Sequence, residues 1–235
     1  GIETMVKSFL TKENNLQVIT VESQKSPVVS VQVWVKTGSV FEDKSQRGFS
    51  HFIEHLLFKG TQKYGMGEVA QIVEGRGGEI NAFTTYDHTV FYINISASEI
   101  ETAMDVLSQM LIFPLFDARE IDNEREVVIE EIKRGKDEVS RMSFQSLFEL
   151  VYRGSPMAHP VIGYEPIIRD CKRQQLVSYF SKYYQSSNMF LVVAGKFEMA
   201  VVKTLSEKYF KSLKNQKSFK LPKVKMAVVN STPRV

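Results

Sequence analysis

The chain has 235 residues, 43% hydrophobic and 24% charged, enough apolar mass for one large domain or two small ones. Its formal net charge of +3 is too small for a strong polyanion-binding field, so no nucleic acid partner is expected. Cys171 is the single cysteine, which excludes an intrachain disulfide and a cysteine-based zinc cluster.

The early segments alternate apolar and polar residues. Residues 15–23 (NLQVITVES) and 28–38 (VVSVQVWVKTG) are rich in β-branched residues and bounded by turn residues, so both read as strands. The spacing predicts a helix over 47–58 and a short helix over 65–78 closed by glycines. Residues 79–87 and 88–96 read as a pair of strands. Ser98 is expected to cap a helix over 99–112 that stops before Pro114.

Residues 117–151 read as mostly helical, with Gly135 as a break. Residues 154–166, with three prolines and two glycines, read as loop. Helices are expected over 170–184 and 198–210, flanking a buried strand at 188–195. Strands grouped early and then mixed with helices predict an α+β fold, with a mixed, largely antiparallel sheet and helices packed on one face. No run of eighteen apolar residues is present and the N-terminus lacks a basic-then-apolar layout. Neither a membrane span nor a secretory signal is expected, and a cytoplasmic setting is.

Residues 47–61, RGFSHFIEHLLFKGT, place two of the four histidines and a glutamate among six large apolar residues. At about 100° per residue, His51, Glu54 and His55 project within one arc of roughly 100°. Histidines four apart on a helix can grip one metal ion. Neutral imidazole suits Zn²⁺, and a carboxylate beside the pair can handle the proton of a water whose pKa the ion lowers. A third ligand is needed. His88 and His159 lie in turns or loops, and the acidic helix offers Glu120, Glu124, Glu130 and Glu131. Glu124 and Glu131 are seven apart and share a helix face, which Val127 and Val128 mark as buried. Pattern alone favours Glu131 slightly over Glu130.

The stretch at 47–61 resembles the signature of the pitrilysin/insulinase metallopeptidases, the inverzincins, in the style of the mitochondrial processing peptidase β subunit and small bacterial relatives. The resemblance implies one Zn²⁺ ion held by His51, His55 and Glu131, with Glu54 as catalytic base. Glu131 follows His55 after seventy-five intervening residues (56–130), in the context EREVVIEEI. Glu124 matches an acidic residue that supports the catalytic site. Asn81, Ala82, Phe83 and Thr84 match the family's substrate-binding edge strand, with Asn81 holding the scissile region and Phe83 lining a pocket. HPVIG at 159–163 and MFLVVAG at 189–195 resemble later landmarks.

The implied function is a zinc-dependent endopeptidase that cleaves short or unfolded polypeptides. Members of that family usually comprise two homologous halves, and this chain matches the first. Residues 1–215 are then the zinc-binding peptidase domain and 216–235 a linker beginning the missing second half. The expected partners are a peptide substrate and the C-terminal half, a homologous subunit or a second copy as a homodimer; no membrane is expected. The half alone is expected to bind zinc with weak or absent peptidase activity. The alternative is a non-catalytic structural or binding subunit of the same family.

Overall fold

The computed structural model describes residues 5–225. Among these, six strands form one sheet: β1 (Met5–Leu10), β2 (Gln17–Glu22), β3 (Val28–Val35), β4 (Glu79–Thr84), β5 (Thr89–Ser96) and β6 (Met189–Gly195). Eight helices accompany them: α1 (Phe49–Leu56), α2 (Glu68–Gly75), α3 (Ile100–Ile112), α4 (Ala118–Lys136), α5 (Val139–Val151), α6 (Glu165–Asp170), α7 (Arg173–Tyr183) and α8 (Met199–Phe210). The sheet order is β1-β2-β6-β3-β5-β4. Only β2 and β6 run parallel among the described pairings. The expected α+β fold is present.

Successive side chains on a strand point to opposite faces. Val29, Val31, Val33 and Val35 of β3 are fully buried, while Ser30, Gln32 and Trp34 between them are half-buried. Phe91, Ile93, Leu191 and Val193 extend the buried face through the paired registers. Helix α3 lies on β3 and β5, and α8 lies on α3. Helix α1 sits between the edge strand β4 and helices α4 and α7. None of the described helices is long and apolar enough to cross a membrane.

Several boundaries differ from those read in the sequence. Strand β1 is an additional edge strand whose Lys7 and Ser8 mask any apolar signal. Ser98 caps nothing: Glu99 occupies the N-cap of α3, and the Ser98 hydroxyl bonds Ser96 instead. Helix α4 runs through Gly135 and stops at Lys136; a Cβ at Gly135 would press on the Arg141 side chain. The loop at 154–166 carries one helical turn at 156–158 and the start of α6. The helix expected over 170–184 is α7, which starts only at Arg173, separated by Cys171 and Lys172 from the end of α6 at Asp170. Arg125 reaches across from α4 to the Ile168 and Arg169 carbonyls, and the Gln175 side chain accepts from Lys172 N at 2.7 Å. The Arg125 bonds end one helix and the Gln175 bond starts the next.

Phe219 packs edge-on against Tyr183 at 6.0 Å, so the first part of 216–225 is tied to the domain body. Residues 226–235, the remainder of the expected linker and start of a second half, lie outside the described residues.

The loop at 159–163 locks onto the start of α1. Gly48 (φ +101°) and Gly163 (φ +85°) meet backbone to backbone: a Cβ on Gly163 would lie 2.4 Å from the Gly48 Cα. Gly163→Ala therefore combines a left-handed backbone with a clash that no side chain can relieve. It is expected to destabilise the fold by about 2 kcal/mol or more, read as a lower urea midpoint; an unchanged midpoint would remove this contact from the architecture.

Candidate metal centre

Helix α1 is held by Phe49, Phe52, Ile53 and Leu57, all fully buried. Each contributes about 1.5–3 kcal/mol of burial, enough together to offset the several kcal/mol that burying a carboxylate costs. This is how the helix can carry Glu54, 9% exposed, on a mostly apolar segment. Helix α4 crosses α1 with Ile121, Val128 and Ile129 buried. The seam between them is where the titratable groups collect.

His51 and His55 bring their Nε2 atoms to 3.2 Å of one another. The Glu131 Oε2 lies 3.8 Å from His51 Nε2 and 3.7 Å from His55 Nε2. Tetrahedral zinc with bonds of about 2.0–2.1 Å separates its ligand atoms by about 3.3 Å. The three donors therefore fit one ion with shifts of a few tenths of an ångström, and their types are those zinc takes. Among the described residues this is the group that could hold a metal. Glu130 instead pairs with Lys133 at 2.9 Å on the solvent side. His88 bonds Asp87 and stacks on Trp34, and His159 bonds Tyr164; neither joins the cluster.

Glu124 takes the His55 Nδ1–H at 2.8 Å, which leaves Nε2 with its lone pair toward Glu131. Lys59 reaches the other Glu124 oxygen at 3.1 Å. Burial opposes the Glu124 charge, but His55 and Lys59 outweigh it and hold the carboxyl below its usual range. Burial would lower His55; Glu124 and the charges of Glu54 and Glu131 reverse this and raise it. Burial, with His55 and Arg141 nearby, pushes His51 down to about 3, so that imidazole is neutral at pH 7. Burial also raises Glu54, against the Thr84 hydroxyl that donates to its Oε2 at 2.5 Å.

The edge strand β4 shows a sharp alternation. Ile80, Ala82 and Thr84 are half-buried, Asn81 and Phe83 exposed. Thr84 thus reaches Glu54, a contact that the strand motif did not reveal. Asn81 Oδ1 accepts from Ala82 N at 2.8 Å. Phe83 joins Trp34, His88 and Tyr92 on the open side of the sheet. It is not part of the cavity beside the ligands, because its strand position has the opposite parity to Thr84. That cavity, about 330 Å³, opens on His51 and Glu131 and is walled by Tyr86, Phe144, Phe148 and Ile162. Val127, read as buried, is 51% exposed; Val128 alone of the pair faces inward. Lys59 was not marked by helix spacing, since α1 ends at Leu56 and Lys59 reaches Glu124 from the turn that follows.

Residues 17–165 match the family model described as Insulinase (Peptidase family M16), and 170–235 match that of the Peptidase M16 inactive domain. A Bacillus subtilis protein named as an uncharacterized zinc protease is 31% identical, over 88% of this chain and 50% of its own length. Subunit 1 of the bovine mitochondrial cytochrome b-c1 complex is 29% identical, over 90% of this chain and 43% of its own length. The crystal structure of a protease from Helicobacter pylori superposes with a TM-score of 0.90 at 29% identity, over 95% of this chain and 55% of that one. The chain thus spans about half the length of the relatives it matches.

A metal at the two Nε2 atoms requires neutral imidazoles, so its affinity should fall as pH drops through the raised His55 value. Glu124→Gln removes the charge that raises His55. It is expected to weaken zinc binding about 10- to 100-fold near neutral pH and to move the acid limb of binding to lower pH. Chelator competition over about pH 5–8 checks both effects; a limb that stays in place would break the link between Glu124 and the metal.

Proposed function

The chain belongs to the insulinase family of peptidases, peptidase family M16, and on that premise we propose that it is the zinc-holding half of an endopeptidase acting on short or unfolded polypeptides. The observation that carries this reading is the convergence of His51 Nε2, His55 Nε2 and Glu131 Oε2 beside a carboxylate, Glu54, whose affinity for a proton is raised. Zinc, when bound, would polarise the scissile carbonyl and lower a water's pKa from about 15.7 to roughly 7.

The chain's own groups do the rest. Glu54 takes the proton of the attacking water and returns it to the leaving amine, a task suited to a carboxyl raised toward neutrality. Thr84 holds one Glu54 oxygen and thereby aims the other. Glu124 fixes the His55 tautomer, and Lys59 keeps Glu124 charged. Strand β4 pairs with β5 on one side and lies at the sheet edge, so an extended peptide can add there as a further strand with little demand on its sequence. Asn81, which now occupies the Ala82 N–H, would yield that donor to the arriving strand. The apolar cavity next to His51 and Glu131 would take a substrate side chain.

A second half completes the enzyme in this reading. Helix α5 leaves Val139, Phe144, Leu147 and Leu150 between 52% and 81% exposed, an apolar surface beside the site that calls for a covering partner. A homologous domain or subunit supplies that cover and further groups for the oxyanion. Residues 216–235 are its connection, and the isolated half is weakly active or inactive. A second reading, a non-catalytic subunit, is favoured by the naming of one relative as part of a cytochrome b-c1 complex. The complete set of ligands and base favours the peptidase.

In the natural full-length protein, Glu54→Gln should keep one zinc per chain while lowering peptide cleavage about 10²- to 10⁴-fold. Cleavage that survives this change would exclude Glu54 as the base. Zinc retained by a wild type that cleaves no peptide would favour the non-catalytic subunit.

A further inference from the structure

His55 is oriented by a hydrogen bond from its own ring to Glu124. His51 has no such support: its Nδ1 is buried and without a hydrogen-bond partner. Its placement must therefore come from the backbone of the first turn of α1. That turn begins at Gly48, whose left-handed backbone and close approach to Gly163 exclude a side chain. A glycine N-cap cannot satisfy the orphan N–H groups of the turn with a side chain of its own.

Glu42, six residues upstream and 5% exposed, supplies what Gly48 cannot. Its Oε1 accepts from Gly48 N at 3.0 Å and its Oε2 from Ser50 N at 2.7 Å. The Ser50 hydroxyl then meets Tyr179 at 2.8 Å, and Tyr179 meets Thr37 at 2.9 Å, which ties the turn to α7 and to the end of β3. Burial pushes the Glu42 carboxyl up to about 7, with the two backbone bonds pulling against it. A group kept buried at such cost, with no ion pair to Arg47 among the described residues, is poorly explained by stability alone, since apolar replacements of buried charges are often as stable or more so.

We propose that Glu42 is a positioning residue for the metal centre: it fixes the first turn of α1 and through it the His51 imidazole. The inference rests on the zinc reading above and adds to it a residue outside the ligand set. Its role is geometric, so it differs from a general contribution to folding.

The test compares the natural full-length protein with Glu42→Gln and, as a remote control, Asn14→Ala. Asn14 is buried and bonds the Phe210 and Leu213 carbonyls, far in sequence from α1. Glutamine keeps the shape but sets an NH2 against one of the two backbone donors. Zinc affinity is measured by chelator competition, coordination geometry by the visible spectrum of the cobalt-loaded protein, and stability by urea unfolding. Glu42→Gln is expected to weaken zinc binding about tenfold or more and to alter the cobalt bands while the chain remains folded. Asn14→Ala is expected to lower stability with affinity and bands unchanged. If Glu42→Gln lowers stability alone, or if both variants shift the bands alike, the positioning role is overturned and the zinc reading stands. If the wild type binds neither ion, the zinc reading fails and this inference falls with it.

Discussion

The seam between α1 and α4 concentrates three carboxylates, Glu54, Glu124 and Glu131, around two imidazoles, one of them neutral because it is buried. Packing of Phe49, Phe52 and Ile53 helps bury Glu54, and Glu124 is buried on α4, while His51, His55 and Glu131 stay partly buried. Low local dielectric makes the excess of negative charge costly unless a cation shares the space. Lys59 answers part of that demand at Glu124. The remainder falls where His51, His55 and Glu131 face one another, and the rest of the molecule reads as a means of holding that arrangement.

The sheet contributes in two ways. Its buried face of alternating valines supports the layer of helices against which α1 and α4 settle. Its edge, β4, then runs past the first of these helices, so that one strand both offers a hydrogen-bonding edge and sends Thr84 into contact with Glu54. The loop at 159–163 closes the third side by pressing Gly163 on Gly48. Positions of the base, the ligands and the edge are thus coupled through α1, an eight-residue helix with little freedom of its own. A small displacement of its first turn would move His51 while leaving His55 anchored to Glu124.

Much of this was legible where the signal is local. The i, i+3, i+4 pattern of His51, Glu54 and His55 follows from helix geometry alone, and the alternation in β3 and β5 from strand geometry. The choice between Glu131 and Glu130 was not local, because both suit the same helix. It follows from which side of α4 meets α1, as the exposure of Val127 beside the burial of Val128 shows. Strand β1 escaped notice because an edge strand needs no apolar alternation. The division between α6 and α7 depends on Arg125, more than forty residues away in the chain. Glu42 lies outside any capping pattern that begins at the helix itself, so only the folded chain reveals what it holds. Phe83 sits on the open face of the sheet, since a single step along a strand reverses the direction of a side chain.

The most direct test is X-ray absorption at the zinc edge on the natural full-length protein, purified without chelators. One zinc per chain is expected, with two imidazole nitrogens at about 2.0–2.1 Å and a carboxylate oxygen at about 2.0–2.2 Å. Those nitrogen contributions should fall to one when either His51 or His55 is replaced. Protein that holds no zinc and cannot be loaded with it, or zinc whose shell is unchanged by both replacements, would contradict the assignment of this seam as a metal centre.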